Sequence, residues 1–184
     1  MHYLKTIQNY KANTDQEIED QKLMLQMIDR NPDVLKRSSL SGHLTSSVFI
    51  MNAKRTKVLL GFHNIYQSWG WFGGHHDGMD DCLEVALKEA KEETGIAFFE
   101  EIKDEPISLD VITVNNHIKN GEYIPDHLHL NVTFGLITSE KQIFTYNQKE
   151  HSGLQWFGVD EYLDHVKEER MKPIYQKIVK RMKR

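Results

Sequence analysis

The sequence has little of several features that would point to particular classes of protein. Cys82 is the only cysteine among 184 residues, so no disulfide framework can form within one chain. No window approaches the roughly 20 apolar residues of a membrane-spanning helix, and the N-terminus lacks the apolar core of a signal peptide. A net charge of -4 gives no broad attraction for nucleic acid. These absences predict a cytoplasmic protein that acts without a membrane or a nucleic-acid partner.

One segment, residues 74–96, carries an unusual arrangement of acidic residues. It reads GHHDGMDDCLEVALKEAKEETGI. In a helix, Glu89, Glu92 and Glu93 lie within an arc of roughly 100°, at spacings where like charges repel each other. The last two also lie in the final turn, where the helix dipole disfavours negative charge, ahead of Gly95 as the predicted left-handed cap. A divalent cation would relieve this conflict, because hard cations such as Mg²⁺ bind carboxylate oxygens.

The same segment resembles the Nudix box, a pattern of glycine, acidic, basic and aliphatic residues at fixed spacing. Asp80 stands where Glu is usual, and Ala90 replaces a larger aliphatic residue. Lys88 replaces the usual Arg, keeping the charge without the planar fork, and is expected to pair with neighbouring acids such as Glu89 or Asp80. The positions that match the box are Gly74, Glu89, Glu92, Glu93, Gly95 and Ile96.

The resemblance implies a hydrolase that uses Mg²⁺, with Mn²⁺ as an alternative, to cleave a diphosphate linkage. Its small-molecule substrate is expected to be a nucleoside diphosphate derivative, attacked at phosphorus by metal-activated water. Metal ions neutralise phosphate charge, orient the phosphates and help to generate hydroxide. The implied metal ligands are the carboxylates of Glu89, Glu92 and Glu93 and the backbone carbonyl of Gly74.

Three carboxylates are candidates for the general base. In several members of the family, an acidic residue in the loop before a late Trp-containing strand binds a metal or acts as the base. Glu150 occupies the comparable place ahead of Trp156, although an exposed loop acid with no catalytic role is an equal alternative. Glu92 or Glu93 could instead activate the water while bound to metal. The predicted catalytic residues are therefore Lys88, Glu92, Glu93 and Glu150.

Several histidines invite a metal-binding interpretation. His127 and His129 share one face of a predicted strand, and His-x-His can bind zinc, but no cysteine nearby completes a tetrahedral set. Two polar residues on the less buried face of the sheet are therefore favoured over a metal site. They could also line the substrate cleft with Asn131. His75 and His76 follow the first glycine of the box, so their position alone suggests that one of them contacts a phosphate.

Hydrophobic patterns predict the order of the secondary structure. Residues 1–42 form a predicted helical extension, in which Thr14 and Glu17 have capping-box spacing and Pro32 begins a short helix over residues 33–37. Residues 43–184 are the predicted Nudix domain. The predicted strands are residues 44–51, 57–63, a strand around 69–72, 107–118, 127–137 and 154–157, with the box helix after the third and a polar hairpin loop around residues 120–126.

Helices are also predicted near the C-terminus. Asp160 is expected to cap one, and Pro173 to open a terminal helix that ends at Arg184. Strands on both sides of a central helix, with helices at the chain ends, predict an α/β/α sandwich. The Nudix resemblance implies the same architecture, with a mixed sheet between the helical layers.

Three other functions stay open. A Nudix-fold module could bind a nucleotide-like ligand without turnover, although the intact metal positions disfavour this. An isomerase of the isopentenyl diphosphate type shares the fold but relies on a cysteine outside the box helix, whereas Cys82 lies inside it. The N-terminal extension could also be a docking or dimerising helix, and a homodimer is compatible with catalysis.

Overall fold

The computed structural model of the protein describes residues 1–119 and 121–184. An eight-stranded sheet lies between two layers of helices, and a separate two-stranded hairpin lies beside it. The helices are α1 (His2–Asn9), α2 (Asp15–Arg30), α3 (Cys82–Thr94), α4 (Tyr162–His165) and α5 (Lys172–Met182). The strands are β1 (Gly42–Asn52), β2 (Lys57–His63), β3 (Ser68–Gly70), β4 (Phe72–His75), β5 (Glu101–Ile102), β6 (Ser108–Val114), β7 (His117–Lys119), β8 (Glu122–Ile124), β9 (His127–Thr138) and β10 (His151–Gly158).

The sheet is mixed, as predicted. Its central path runs β10-β2-β1-β9-β5, while β3 pairs with β2, β4 with β1 and β6 with β9. The long strands β1 and β9 are parallel, with His43 opposite His129. β4 runs antiparallel to β1, with His75 opposite Thr45. These pairings bring the ends of three strands together at one edge of the molecule.

Alternation along β1 and β9 separates two hydrophobic cores, because successive side chains of a strand point to opposite faces. On one face, Val48 and Phe134 pack with α1, α2 and α3. On the other, Phe49 and Ile137 pack with α4 and α5. The α/β/α sandwich predicted from the sequence is therefore confirmed.

The N-terminal extension is helical, as predicted. Thr14 caps α2 by accepting a hydrogen bond from the backbone N–H of Glu17, which confirms one half of the predicted capping box. Ile7 of α1 and Met24 of α2 are fully buried in the core beneath β1 and β9. The extension therefore contributes directly to the core of the folded chain.

The short helix predicted over residues 33–37 is wrong. That segment forms successive turns, in which Val34 N–H donates to Asn31 and Lys36 N–H donates to Asp33. The side chain of Asn31 accepts from Asp33 N–H at 3.1 Å. Such a local side-chain bond competes with helical hydrogen bonding.

The strand predicted at residues 69–72 is two short strands that pair with different neighbours. The interruption is at Trp71, whose N–H donates to the Tyr175 hydroxyl at 3.2 Å instead of to a sheet partner. The strand predicted at residues 107–118 ends earlier, at Val114. The predicted hairpin loop at residues 120–126 contains the strand β8, and Asn120 lies outside the described residues.

The predicted cap at Asp160 is also wrong, because α4 begins at Tyr162 with Glu161 in the cap position. The Glu161 carboxylate accepts a hydrogen bond from Gly158 N–H instead of from the helix. Pro173 lies in the first turn of α5, as expected, but the helix ends at Met182 rather than at Arg184.

Candidate active site

Local signals position the acidic helix α3 at its two ends. Asp81 caps the N-terminus by accepting hydrogen bonds from Leu83 N–H and Glu84 N–H at 2.9 and 3.1 Å. Gly95 ends the helix in the left-handed conformation, with φ of 68°, as its place in the sequence predicts. A glycine adopts this conformation without the steric penalty that a Cβ would bring.

Glu89 lies directly against the backbone of Gly74 at the end of β4. A Cβ added at Gly74 would lie 2.5 Å from Glu89 Cδ and 2.7 Å from both carboxylate oxygens. Any larger residue would therefore displace this carboxylate. The contact brings together the first glycine and the first metal-site glutamate of the predicted box.

Glu93 is the most enclosed of the three acids. Its Oε2 atom accepts a hydrogen bond from Gly73 N–H at 3.2 Å, which joins the end of α3 to β4. Burial raises the pKa of Glu93 to about 7, an effect that His151 opposes and that the charges of Glu150 and Glu89 increase. The raised pKa therefore follows chiefly from the enclosure of this carboxyl group.

Glu92 remains exposed and is held by Lys88. The Lys88 ammonium lies 3.0 Å from Glu92 Oε2 and 3.2 Å from Glu89 Oε1. Burial raises the pKa of Glu89, while Lys88 partly offsets that effect. Two acids were predicted as partners of Lys88, and Glu89 is paired with it. Asp80, the other predicted partner, precedes the N-terminus of α3 and instead accepts a hydrogen bond from the backbone N–H of His2 in α1.

Glu150 lies in the loop before β10 with its side chain exposed. Its negative charge raises the pKa of both Glu89 and Glu93, so it acts within the electrostatic field of the site. Its backbone carbonyl accepts a hydrogen bond from Asn64 N–H at 2.8 Å. Its role as general base remains a prediction.

His151 is a site residue that the sequence patterns do not predict. Its ring is buried, and Nε2 lies 3.4 Å from Glu93 Oε2, without hydrogen-bond geometry to any described residue. Gly61 makes room for the ring, since a Cβ there would lie 2.6 Å from His151 Nδ1. A bulge in the pairing of β10 with β2, between His151 and Leu154, interrupts regular alternation. Strand periodicity therefore could not predict where this ring points.

His75 and His76, one of which was predicted to contact a phosphate, have different surroundings. His76 is fully buried, and its ring nitrogens lie 2.9 Å from Ser46 Oγ and 2.8 Å from the Met79 carbonyl oxygen. It therefore holds the box loop onto β1. His75 is half-buried and packs against His43 and His129, with ring centroids 4.9 and 5.1 Å away.

His127 and His129 share one face of β9 with Asn131, as predicted. Asn131 Oδ1 accepts hydrogen bonds from Thr45 and Ser47, both at 2.9 Å, which links β9 to β1. The face is more enclosed than the sequence indicated, because His127 is buried. This face is enclosed because the His43 ring on the parallel strand β1 covers it. The ring centroid of His43 lies 5.0 Å from those of His127 and His129.

The comparison with known families decides the classification. The profile of the NUDIX domain matches residues 42–181, which is most of the chain. The chain belongs to the Nudix hydrolase family. The predicted family resemblance, and with it the prediction of a pyrophosphohydrolase family, is therefore confirmed. Members of this family generally use divalent metals. No curated protein matches the chain.

Solved structures support the fold of this Nudix chain. The NUDIX domain of Shewanella oneidensis NrtR, complexed with ADP ribose, has a TM-score of 0.56 at 17% identity, covering 85% of this chain and 97% of that one. A mutator MutT protein from Bacillus halodurans has a TM-score of 0.53 at 20% identity, covering 74% and 81%. A C. elegans Ap4A hydrolase has a TM-score of 0.52 at 16% identity, covering 76% and 96%.

Within residues 1–119 and 121–184, no helix is both long and apolar enough to cross a membrane.

Proposed function

We propose that this Nudix protein is a Mg²⁺- or Mn²⁺-dependent hydrolase of a diphosphate linkage in a nucleoside diphosphate derivative. The observation that carries the proposal is the convergence of Glu89 and Glu93 on the backbone of Gly73 and Gly74. A helix and a strand end meet there, where Glu89 and Glu92 share one cation, Lys88, and Glu93 faces the His151 ring. Mg²⁺ needs this kind of oxygen-rich site and commonly shares its remaining positions with phosphate oxygens.

The donor set suits such an ion. Glu89, Glu92 and Glu93 offer carboxylate oxygens, and Gly74 offers a backbone carbonyl, all hard ligands of the type that Mg²⁺ and Mn²⁺ prefer. Because Gly74 has no side chain, the Glu89 carboxylate can occupy the space beside its backbone. When bound, the cation would neutralise phosphate charge and lower the pKa of a coordinated water.

The remaining chemistry belongs to side chains around these acids. Lys88 holds Glu89 and Glu92 in position through two ion pairs. We assign to Glu150 the removal of a proton from the attacking water, since its side chain is exposed and its charge acts on both Glu89 and Glu93. Glu92 and Glu93 are the alternative bases. Gly73 N–H keeps Glu93 oriented throughout.

The proposed substrate class draws on structural relatives. The polar strip across β1 and β9 does not inform it, because the side chains of Thr45, Ser47 and Asn131 are buried and hydrogen-bonded within the strip. The solved Nudix structures of similar fold include an ADP-ribose complex and an Ap4A hydrolase. A nucleotide derivative is therefore the first class to test.

A substrate panel tests the proposal directly. Nucleoside triphosphates, nucleotide sugars, dinucleoside polyphosphates and ADP-ribose would each be incubated with the protein, with and without Mg²⁺ or Mn²⁺, and released phosphate or mononucleotide measured. Metal-dependent turnover of one class is expected. Tight binding of a nucleotide without turnover of any compound would instead favour the binding-module alternative.

Location and assembly are separate questions. The cytoplasmic location and the homodimer remain predictions. Light scattering over a concentration series would test the dimer, because a dimer of this chain would double the measured mass.

Substituting Ala for Gly74 should weaken metal binding while leaving the fold intact. The new Cβ would lie 2.5 Å from Glu89 Cδ, so the carboxylate must move from its place. Since disturbing the groups that orient a metal ligand typically costs 10–100-fold in affinity, we expect at least a roughly tenfold loss of Mn²⁺ affinity by calorimetry. Gly153→Ala is the matched control, because among the described residues its Cβ would meet only Trp69, at 3.7 Å. Equal affinities in the two variants would contradict the assignment.

Replacing Lys88 with Arg restores the usual residue of the box and should preserve or raise kcat/KM. The planar fork of Arg can donate to Glu89 and Glu92 at once, as the Lys88 ammonium now does. Lys91→Arg, on the exposed side of the same helix, controls for a general effect of added Arg. A large loss confined to Lys88→Arg would show that the local network has been rebuilt around Lys.

A further inference from the structure

Outside the carboxylate cluster, the described residues bring several imidazoles together at the ends of β1, β4 and β9. One ligand atom from each of His43, His75 and His129 lies within 4.8 Å of the others. Nitrogen ligands about 2 Å from a tetrahedral zinc ion lie about 3.4 Å apart. Small rotations of the rings would therefore close the cluster around one ion.

We propose that His43, His75 and His129 form a second metal site, selective for a borderline transition metal such as Zn²⁺. The site is separate from the carboxylate cluster and goes beyond the proposed hydrolysis. Imidazole nitrogen suits Zn²⁺, Cu²⁺ and Ni²⁺, whereas Mg²⁺ prefers oxygen. The two sites would thus bind different metals side by side, since His75 directly follows Gly74.

The hydrogen bonds of His43 prepare it as a ligand. Its Nδ1 atom lies 3.1 Å from the Ser39 carbonyl oxygen, which can only accept, so Nδ1 must carry the proton. Its Nε2 atom is then a lone-pair acceptor, and it is buried with no hydrogen-bond partner among the described residues. A protonated nitrogen held by a backbone carbonyl, with the other facing a shared centre, is the usual arrangement of a metal-binding histidine.

His127 orients His129 in a similar way. His127 Nδ1 lies 2.8 Å from the Pro125 carbonyl oxygen, so its Nε2 is the acceptor. His129 Nε2, at 3.3 Å from His127 Nε2, must therefore be the donor in this contact. His129 Nδ1 is left as the nitrogen with a lone pair. His127 is thus the positioning residue for a ligand of the proposed site.

A cationic phosphate-binding cluster is the main alternative use of four neighbouring histidines. It requires charged rings, but burial lowers the pKa of His43. Burial and the surrounding histidines also lower the pKa of His129 to about 2. Neutral imidazole is the form that binds a metal. The sequence offers no further zinc ligands beside His127 and His129, but the pairing of strands in the sheet brings His43 and His75 to His129.

Cobalt spectroscopy on the full-length protein tests the site. The chelator-treated protein would be titrated with Co²⁺ in excess Mg²⁺, and its visible ligand-field spectrum recorded. We expect one bound Co²⁺ that Zn²⁺ displaces and excess Mg²⁺ does not. The signal should survive Glu93→Gln, which removes a carboxylate ligand, and His2→Gln, a control at an exposed histidine. In His43→Gln and His129→Gln, the Co²⁺ affinity measured from this signal should fall at least about tenfold.

Two outcomes would overturn the proposal. One is a wild-type protein that gives no Co²⁺ spectrum in excess Mg²⁺. The other is a spectrum lost in Glu93→Gln but kept in folded His129→Gln, which would place the ion on the carboxylates. If a histidine variant fails to fold, imidazole ¹⁵N shifts of the wild type with and without Zn²⁺ decide instead. Unchanged shifts would refute the site whether or not the protein hydrolyses any diphosphate.

Discussion

Glu93→Gln should lower turnover by more than about 100-fold while the protein stays folded. Loss of a group that only supports a metal ligand typically costs 10–100-fold, and Glu93 is a proposed direct ligand. The amide keeps the shape of the side chain and can still accept the hydrogen bond from Gly73 N–H, but it brings no negative charge. The measurement is kcat and KM for the best substrate of the panel, with Mn²⁺ affinity measured separately by calorimetry.

Glu84→Gln is the matched control for this prediction. Glu84 lies on the same helix but in its first turn, with its side chain exposed. The turnover of Glu84→Gln should therefore stay near that of the wild type. Near-normal turnover and metal affinity in Glu93→Gln would exclude Glu93 as a metal ligand. Circular dichroism would show whether a loss of activity reflects chemistry or unfolding.

Arg181→Met should produce the largest loss of stability, about 3 kcal/mol in the free energy of unfolding. The Arg181 guanidinium donates to the fully buried Glu17 through two nitrogens, at 2.6 and 2.8 Å, and so ties α5 to α2. Without it, Glu17 would share Lys177 with Asp110, which are 3.1 and 2.7 Å from the ammonium. Two buried carboxylates would then depend on a single cation. Urea denaturation measures the difference.

The same ion-pair network predicts how stability depends on pH. Burial alone would raise the pKa of Glu17, but hydrogen bonds from Arg181, Tyr10 and Lys177 outweigh it and lower the pKa from 4.5 to about 2. Because the folded pKa is the lower one, this carboxylate stabilises the protein fully above about pH 4.5 and loses its contribution as the pH falls towards 2. Arg181→Met should bring the folded pKa of Glu17 closer to 4.5, so the pH range over which its contribution to stability is lost should become narrower.

Lys172→Met is the control for Arg181→Met. Lys172 lies on the same helix and pairs with an exposed Glu169 at 2.6 Å, an interaction worth at most about 1 kcal/mol. If both variants lose the same small amount of stability, the buried network does not hold the N-terminal extension in place. A large loss only in Arg181→Met would show that the extension is held by its contact with the terminal helix.

Local signals predicted much of the fold correctly because they act over a few residues. Thr14 and Gly95 mark helix ends through their own backbone contacts, and the strand at residues 57–63 matches its predicted bounds. The errors also have local causes. The Asn31 side chain stabilises a turn where a helix was predicted. The Glu161 carboxylate accepts a hydrogen bond from Gly158 N–H, which precedes it, and does not cap α4.

The sequence by itself determined the family and the acidic helix, because the spacing of Glu89, Glu92 and Glu93 follows from helical geometry alone. Only the tertiary structure decided their unequal environments, in which Glu93 is buried while Glu92 remains exposed. It also placed His151 beside Glu93 and His43 opposite His129. Both placements depend on strand pairing between residues far apart in the chain. The periodicity of a single strand carries no information about which strand will pair with it.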